Sequence, residues 1–137
     1  MALAFKIKKS DRRVFVLIGD GEANEGSVWE AVMVAVNLKL DSLTIIYDNN
    51  LSHQRGLQIY NPTERFKAFG CATVAVNGHN IENLKTYLAP KLDRVKVVVA
   101  NTQKGYGCQT FIDNHYEWHR KSPNDAELEI LVGELEL

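Results

Sequence analysis

Two short polar runs stand where two apolar runs end. Gly19-Asp20-Gly21 closes the stretch Arg13 to Gly19 (RVFVLIG), and Asp48-Asn49-Asn50 closes Leu43 to Asp48 (LTIIYD), with Asn50 thirty positions after Asp20. The glycines permit a tight turn and a close approach of backbone to a ligand. Asp20 offers a carboxylate oxygen and Asn50 an amide oxygen. If the two apolar runs are neighbouring strands, these oxygens converge on a site suited to a small, hard divalent cation bridging to diphosphate oxygens. A helix beginning after Gly26 would add amide donors and the positive end of its dipole. Gly-Asp-Gly alone is a common strand-to-helix turn in which the aspartate caps the helix. The joint pattern of strand, Gly-Asp-Gly, helix, strand and Asn-Asn carries much more.

The elements that would position these groups follow from periodicity. Arg13 to Gly19 and Leu43 to Asp48 are short and nearly continuously apolar, as expected of strands buried on both faces. Ala72 to Val76 and Val95 to Ala100 supply two more strands. Between them, Glu25 to Leu40 reads as a helix with Val28, Val32, Ala35 and Val36 on one face. Another starts near Pro62, with Phe66 and Phe69 inward. A third is capped by Asn80, with Ile81, Leu84 and Leu88 inward. A last helix is capped by Asn124, with Leu128, Leu131 and Leu135 on its stripe. Met1 to Lys8 reads as the end of a helix, and Thr102 to Ser122 as a long loop. Trp29 and Phe15 read as core, and the basic run from Lys6 to Arg13 as a solvated helix end. Alternating strands and helices predict an α/β fold with a mainly parallel sheet flanked by helices. Such sheets hold ligands beyond the carboxyl ends of their strands. That rule selects 19–26, 49–56, 77–80 and 102–119, where the glycines and polar residues also gather.

Composition narrows the classes. The 137 residues suit one domain, 1–137, and sixteen basic against seventeen acidic side chains give a formal charge of -1. That balance offers no footprint for nucleic acid or an anionic membrane. Two cysteines, Cys71 and Cys108, are too few for a secreted disulfide scaffold. The first residues become charged too soon for a signal peptide, and no apolar run reaches the roughly 20 residues that cross a bilayer. The expectation is a soluble, cytoplasmic protein.

Gly-Asp-Gly followed by Asn-Asn at this spacing resembles the thiamine-diphosphate signature. The blocks GDGEANEGSVWEA, NLKLDSLTIIYDNN, KAFG, NGHN, NTQKGYG and EWHRKSPN, in this order, resemble the diphosphate-binding domain of transketolases, particularly the split forms of bacteria and archaea. The resemblance implies thiamine diphosphate with Mg2+ or Ca2+ as cofactors. Asp20, Asn50 and the carbonyl of Ser52 match the metal ligands. Gly19, Asp20, Gly21 and Glu22, with Asn50, match the cofactor-holding turns, and Lys104 and Gly105 match a loop closing over the cofactor. Glu25 matches an acid linking paired active sites, and His119 a histidine at the cofactor's reactive end. His79 reads as structural, while His53 and His115 read equally well as loop residues. Tyr106 and Trp118 are expected at a subunit interface.

The implied reaction is transfer of a two-carbon ketol unit between sugar phosphates. The match begins inside the family's domain, so its preceding segment has no counterpart here. The pyrimidine-binding domain, which in the family carries the activating glutamate, has none either. The expectation is therefore a chain inactive alone, working with a pyrimidine-domain (C-terminal) subunit in a homo- or hetero-oligomer. Two alternatives stay open: a non-catalytic domain with a structural role, or part of another thiamine-diphosphate ketolase or synthase.

Overall fold

The computed structural model describes residues 1–53 and 55–135. Its centre is a four-stranded parallel sheet of β1 (Val14–Gly19), β2 (Leu43–Asn49), β3 (Ala72–Asn77) and β4 (Lys96–Asn101), in the order β1-β2-β4-β3. The helices are α1 (Ala2–Ile7), α2 (Gly26–Asn37), α3 (Pro62–Ala68), α4 (Ile81–Leu88), α5 (Gln109–Asp113) and α6 (Asp125–Leu135). The α/β expectation is met: this is an open parallel sheet flanked by helices.

One face of the sheet carries the core. Val32 and Ala35 of α2 pack with Ile45 and Tyr47 of β2, Val97 and Val99 of β4, and Phe66 of α3. Trp29 stacks on Phe66 at 5.0 Å and on Phe69 at 5.5 Å between ring centroids, while Tyr47 meets Phe66 edge-on at 5.8 Å. These rings join α2 and α3 across the sheet through large apolar areas with favoured aromatic geometry.

The other face is only partly covered, which corrects two expectations. β1 is an edge strand with Phe15 48% and Leu17 68% exposed, so it is not buried on both faces and Phe15 is not core. Arg13 lies over the Phe15 ring instead. Leu17, Ile46, Leu84, Leu88 and Ala100 line an open apolar groove of about 490 Å3 on this face. Ile81 points outward, and of the α6 stripe only Leu131 is buried, Leu128 and Leu135 being exposed. Helical period places a residue on a face, but burial needs a neighbour there.

The helix caps use more of the sequence than expected. Asn80 Oδ1 accepts from the Asn83 amide at 3.0 Å, and Asn124 Oδ1 from the Glu127 amide at 2.9 Å while the Glu127 carboxylate accepts in return from the Asn124 amide. The second set is a capping box. The basic run is not merely solvated. Lys6 donates to the Leu38 and Lys39 carbonyls at the end of α2, and Arg13 to those of Leu88 and Ala89 at the end of α4. Buried Lys96 donates to the Tyr87 and Leu88 carbonyls there, and burial, with the charge of Arg13, lowers its pKa. Cations at a helix C-terminus satisfy orphan carbonyls and complement the dipole.

Candidate functional site at the strand ends

Parallel pairing of β1 with β2 sets Gly19 opposite Asp48. The two strands therefore deliver Asp20 and Asn50 to the same edge of the sheet. They do converge, and they do so on Ser52. Asp20 Oδ1 accepts from Ser52 Oγ at 3.2 Å, and Asn50 Oδ1 accepts from the Ser52 amide at 2.9 Å. Asp20 Oδ2 also accepts from the His53 amide at 3.1 Å.

Asp48 holds this arrangement from behind. Its Oδ2 accepts from Asn50 Nδ2 at 2.6 Å, fixing the amide so that Asn50 Oδ1 faces Ser52. Its other oxygen accepts from the Thr102 hydroxyl beyond β4. Tyr47 lies below, and burial, with the nearby charges of Asp20 and Asp48, pushes its phenol up to about 12.

The Gly-Asp-Gly turn is braced by its own neighbours. The Glu22 carboxylate accepts from the Gly19 amide at 2.7 Å, and Asn24 Nδ2 reaches the Asp20 and Gly21 carbonyls. A 3-10 turn, Glu22–Asn24, separates Gly21 from α2, and Trp29 Nε1 pins that turn by donating to the Ala23 carbonyl at 2.7 Å. The start of α2 is therefore set back from the site, which corrects the expectation that it supplies amides there. Glu25, the residue preceding α2, is exposed and does not line the cleft.

A cleft of about 650 Å3 opens above these turns. Its floor is Gly19, Asp20, Gly21, Glu22, Asn50 and Ser52. One wall carries His53, Arg55 and Gly56 from the loop after β2. The His53 ring fills the space beside two glycines: a Cβ at Gly21 would come 3.3 Å from its Nδ1, and one at Gly56 2.5 Å from its Nε2. The opposite wall carries Lys104, His115, Tyr116, His119 and Arg120.

Lys104 and His119 meet directly, Nζ to Nδ1 at 2.7 Å. An ammonium can only donate, so Nδ1 accepts and the ring proton sits on Nε2. His119 thus turns an N–H donor, rather than a lone pair, away from Lys104. Gly105 lies beside the cleft rather than in it. It has φ of +81°, and a Cβ there would stand 2.8 Å from the Phe111 backbone carbon. Gly105→Ala should cost about 1–3 kcal/mol through backbone strain, read as a fall in the denaturation midpoint, with Gly133→Ala, which has open space around it, as the control.

The segment after β4 is more ordered than a loop. It contains α5, whose first turn is tied to α6 by Glu134: Cys108 Sγ and the Thr110 amide both donate to Oε2 at 2.9 Å. His79 supports the same segment, accepting from the Gln103 amide at 2.8 Å and stacking on Tyr106 at 3.7 Å. So of the four segments chosen by the strand-end rule, three line the cleft and the turn after β3 props up one of them. Trp118 packs edge-on against Phe111, and Tyr106 remains 65% exposed. His53 and His115, read as ambiguous, both line the cleft. Arg55, Tyr116 and Arg120 were not foreseen, because nothing in their local spacing marks them.

Among the described residues no three His, Cys, Asp or Glu side chains cluster to hold an ion. A cation here would depend on the Asp20 carboxylate with amide and carbonyl oxygens from Asn50 and Ser52. That set is all hard oxygen and suits Mg2+ or Ca2+ rather than a thiol- or imidazole-seeking metal.

Comparison with known proteins identifies the family. Residues 5–131 match the profile described as transketolase, thiamine diphosphate binding domain. One subunit of the apulose-4-phosphate transketolase of Actinobacillus succinogenes is 38% identical over 98% of this chain and 51% of its own length. Mouse transketolase is 38% identical over 93% of this chain and 21% of its own length. The crystal structure of transketolase from Campylobacter jejuni superposes with a TM-score of 0.70 at 31% identity, covering 77% of this chain and 18% of that one. The chain thus spans about half the length of the Actinobacillus relative and about a fifth of the mouse protein. With the profile running through nearly all of its length, from α1 to α6, this chain belongs to the transketolase family and carries that family's thiamine diphosphate binding domain.

Proposed function

We propose that the chain is the cofactor- and metal-binding part of a split transketolase, transferring a two-carbon ketol unit between sugar phosphates together with a pyrimidine-domain subunit. The observation that carries this reading is the convergence of Asp20, Asn50 and Ser52 at the floor of one cleft whose far wall holds His119. Likeness to a protein that is itself named as one subunit of a transketolase supports a two-chain assembly. The bare apolar face around Leu17 supports assembly as well, since large exposed apolar patches usually mark interaction surfaces.

In this reading Asp20, Asn50 and the Ser52 carbonyl hold Mg2+ or Ca2+, and the Gly19–Gly21 turn seats the diphosphate. Thiamine diphosphate, when bound, supplies the chemistry that breaks and remakes a carbon–carbon bond beside a carbonyl. The protein's own work is orientation and proton handling. His119 offers Nε2–H to an oxygen that gains charge during the reaction, and Lys104 fixes the tautomer that makes this possible. Gly105 gives the Lys104 loop its left-handed turn. Glu25, exposed ahead of α2, is free to take part in a network across an interface between chains.

The test is reconstitution. The 137-residue chain alone, with thiamine diphosphate and Mg2+, should show no ketol transfer, and adding a pyrimidine-domain partner together with the family's preceding segment should produce it. Transfer by the isolated chain would contradict the division of labour. No transfer by an assembly that holds the partner and the preceding segment would favour a purely structural role.

A further inference from the structure

We propose that His79, which lies outside the lining of the cleft, is the positioning residue for the Lys104–His119 pair. It grips the chain on both sides of Lys104 and so keeps the Lys104 ammonium on His119 Nδ1. This deepens the proposed function and rests on it for the reaction served.

Parallel register brings the residues together. β3 and β4 pair in step as far as Asn77 opposite Asn101, so His79 and Gln103 each stand two residues past the last rung. Their backbones come close because residue 78 is glycine. The Gly78 amide donates to the Asn101 carbonyl at 2.8 Å, and a Cβ at Gly78 would run into Thr102 Cγ2 and stand 3.2 Å from the Asn101 carbonyl oxygen. The turn is braced on either side of His79 as well. Asn77 Oδ1 accepts from the His79 amide at 2.9 Å, and the Asn80 amide donates to the Asn77 carbonyl at 3.2 Å before Asn80 caps α4.

From this braced turn the His79 ring makes two contacts that bracket Lys104. Nε2 accepts from the Gln103 amide at 2.8 Å, one residue before Lys104. The ring lies flat against that of Tyr106, two residues after Lys104, with centroids 3.7 Å and planes 15° apart. An amide N–H can only donate, so Nε2 accepts and the His79 ring proton sits on Nδ1, the opposite tautomer from His119. Thr102 adds a third anchor through its hydroxyl on Asp48. From this held stretch the Lys104 side chain reaches the cleft, where Nζ meets His119 Nδ1 at 2.7 Å. That contact is exposed, and a long flexible side chain gains little there by itself. Fixing the backbone at its base lowers the entropy lost in making it.

The experiment separates the acceptor nitrogen from the bulk of the ring. His79→Phe keeps an aromatic ring for Tyr106 and removes the acceptor, whereas His79→Gln offers an amide oxygen where Nε2 stood. Nitrogen NMR of the histidine rings in the isotope-labelled whole chain should find the His79 proton on Nδ1 in wild type. His119 Nδ1 should show the shift of a nitrogen that accepts a hydrogen bond in wild type and in His79→Gln, and lose it in His79→Phe. In the reconstituted assembly His79→Phe should lower turnover roughly three- to tenfold, the scale of one lost hydrogen bond, and His79→Gln should restore most of it. In a His119→Ala background the phenylalanine substitution should change turnover by less than about twofold, because a residue that acts through Lys104 and His119 has nothing left to act on. A full additive loss in that background would overturn this role. So would a His119 signal in His79→Phe identical to wild type, or a wild-type His79 carrying its proton on Nε2. If the wild-type assembly transfers no ketol unit, the proposed function fails, and the ring signals of the chain alone still decide whether His79 holds Lys104 on His119.

Discussion

In the reconstituted assembly, Asp20→Ala is expected to abolish Mg2+-dependent binding of thiamine diphosphate. Asp20 is the only carboxylate among the three oxygen donors assigned to the ion, and the other two are neutral. The loss should exceed the roughly 10–100-fold that removal of a mere outer-shell partner costs a metal site. Two backbone amides and the Ser52 hydroxyl also lean on this carboxylate, so the variant loosens the loop after Asn50 as well. Asp20→Asn separates the two effects, because it keeps an acceptor for that loop while removing the charge. Calorimetry should find both variants defective, with the asparagine form closer to wild type in thermal stability. Unchanged affinity in Asp20→Ala would end the metal assignment.

His119→Ala in the assembly with the pyrimidine-domain partner is expected to lower turnover by about 10²–10³, the equivalent of roughly 2.7–4 kcal/mol for one lost oxyanion donor. Cofactor affinity should change far less, since the proposed contact is to the reacting oxygen. His119 is exposed in this chain, and an ordinary surface residue would move stability by no more than about 0.5 kcal/mol and leave turnover alone. The link to Lys104 adds a second expectation. Lys104→Met frees Nδ1 from its donor and should lower turnover in the same direction by a smaller amount, with unchanged cofactor affinity. Steady-state rates for wild type and His119→Ala decide between the roles, and equal rates would remove His119 from the catalytic list.

What could be read from sequence was whatever depends on local order along the chain. The Val-rich run of interior strand β4 is buried as its composition implies, and in β2, also interior, Thr44, Ile45 and Tyr47 are buried while Ile46 faces the open groove. RVFVLIG has the same composition, yet Leu17 is bare, since an apolar run does not say whether anything lies over its second face. Ile81, Leu128 and Leu135 repeat that lesson for helices. The site was legible where it follows from strand ends: Asp20 and Asn50 meet because β1 and β2 pair in parallel register. The supporting residues were hidden because their partners are distant in sequence. Asp48 reaches Thr102 across 54 positions, Glu134 reaches Thr110 across 24, and Arg55 meets Tyr116. α5 was missed because five residues, Gln109–Asp113, are too few to show a helical period.

The central claim is that the floor of the cleft binds thiamine diphosphate through a hard divalent cation, and one titration tests it most directly. Thiamine diphosphate is titrated into the wild-type chain with Mg2+, with Ca2+, and with a chelator in place of either. Saturable one-to-one binding with both ions, lost in the chelator, is the predicted result. Binding of equal strength without a divalent ion, or no binding under any of the three conditions, would contradict it.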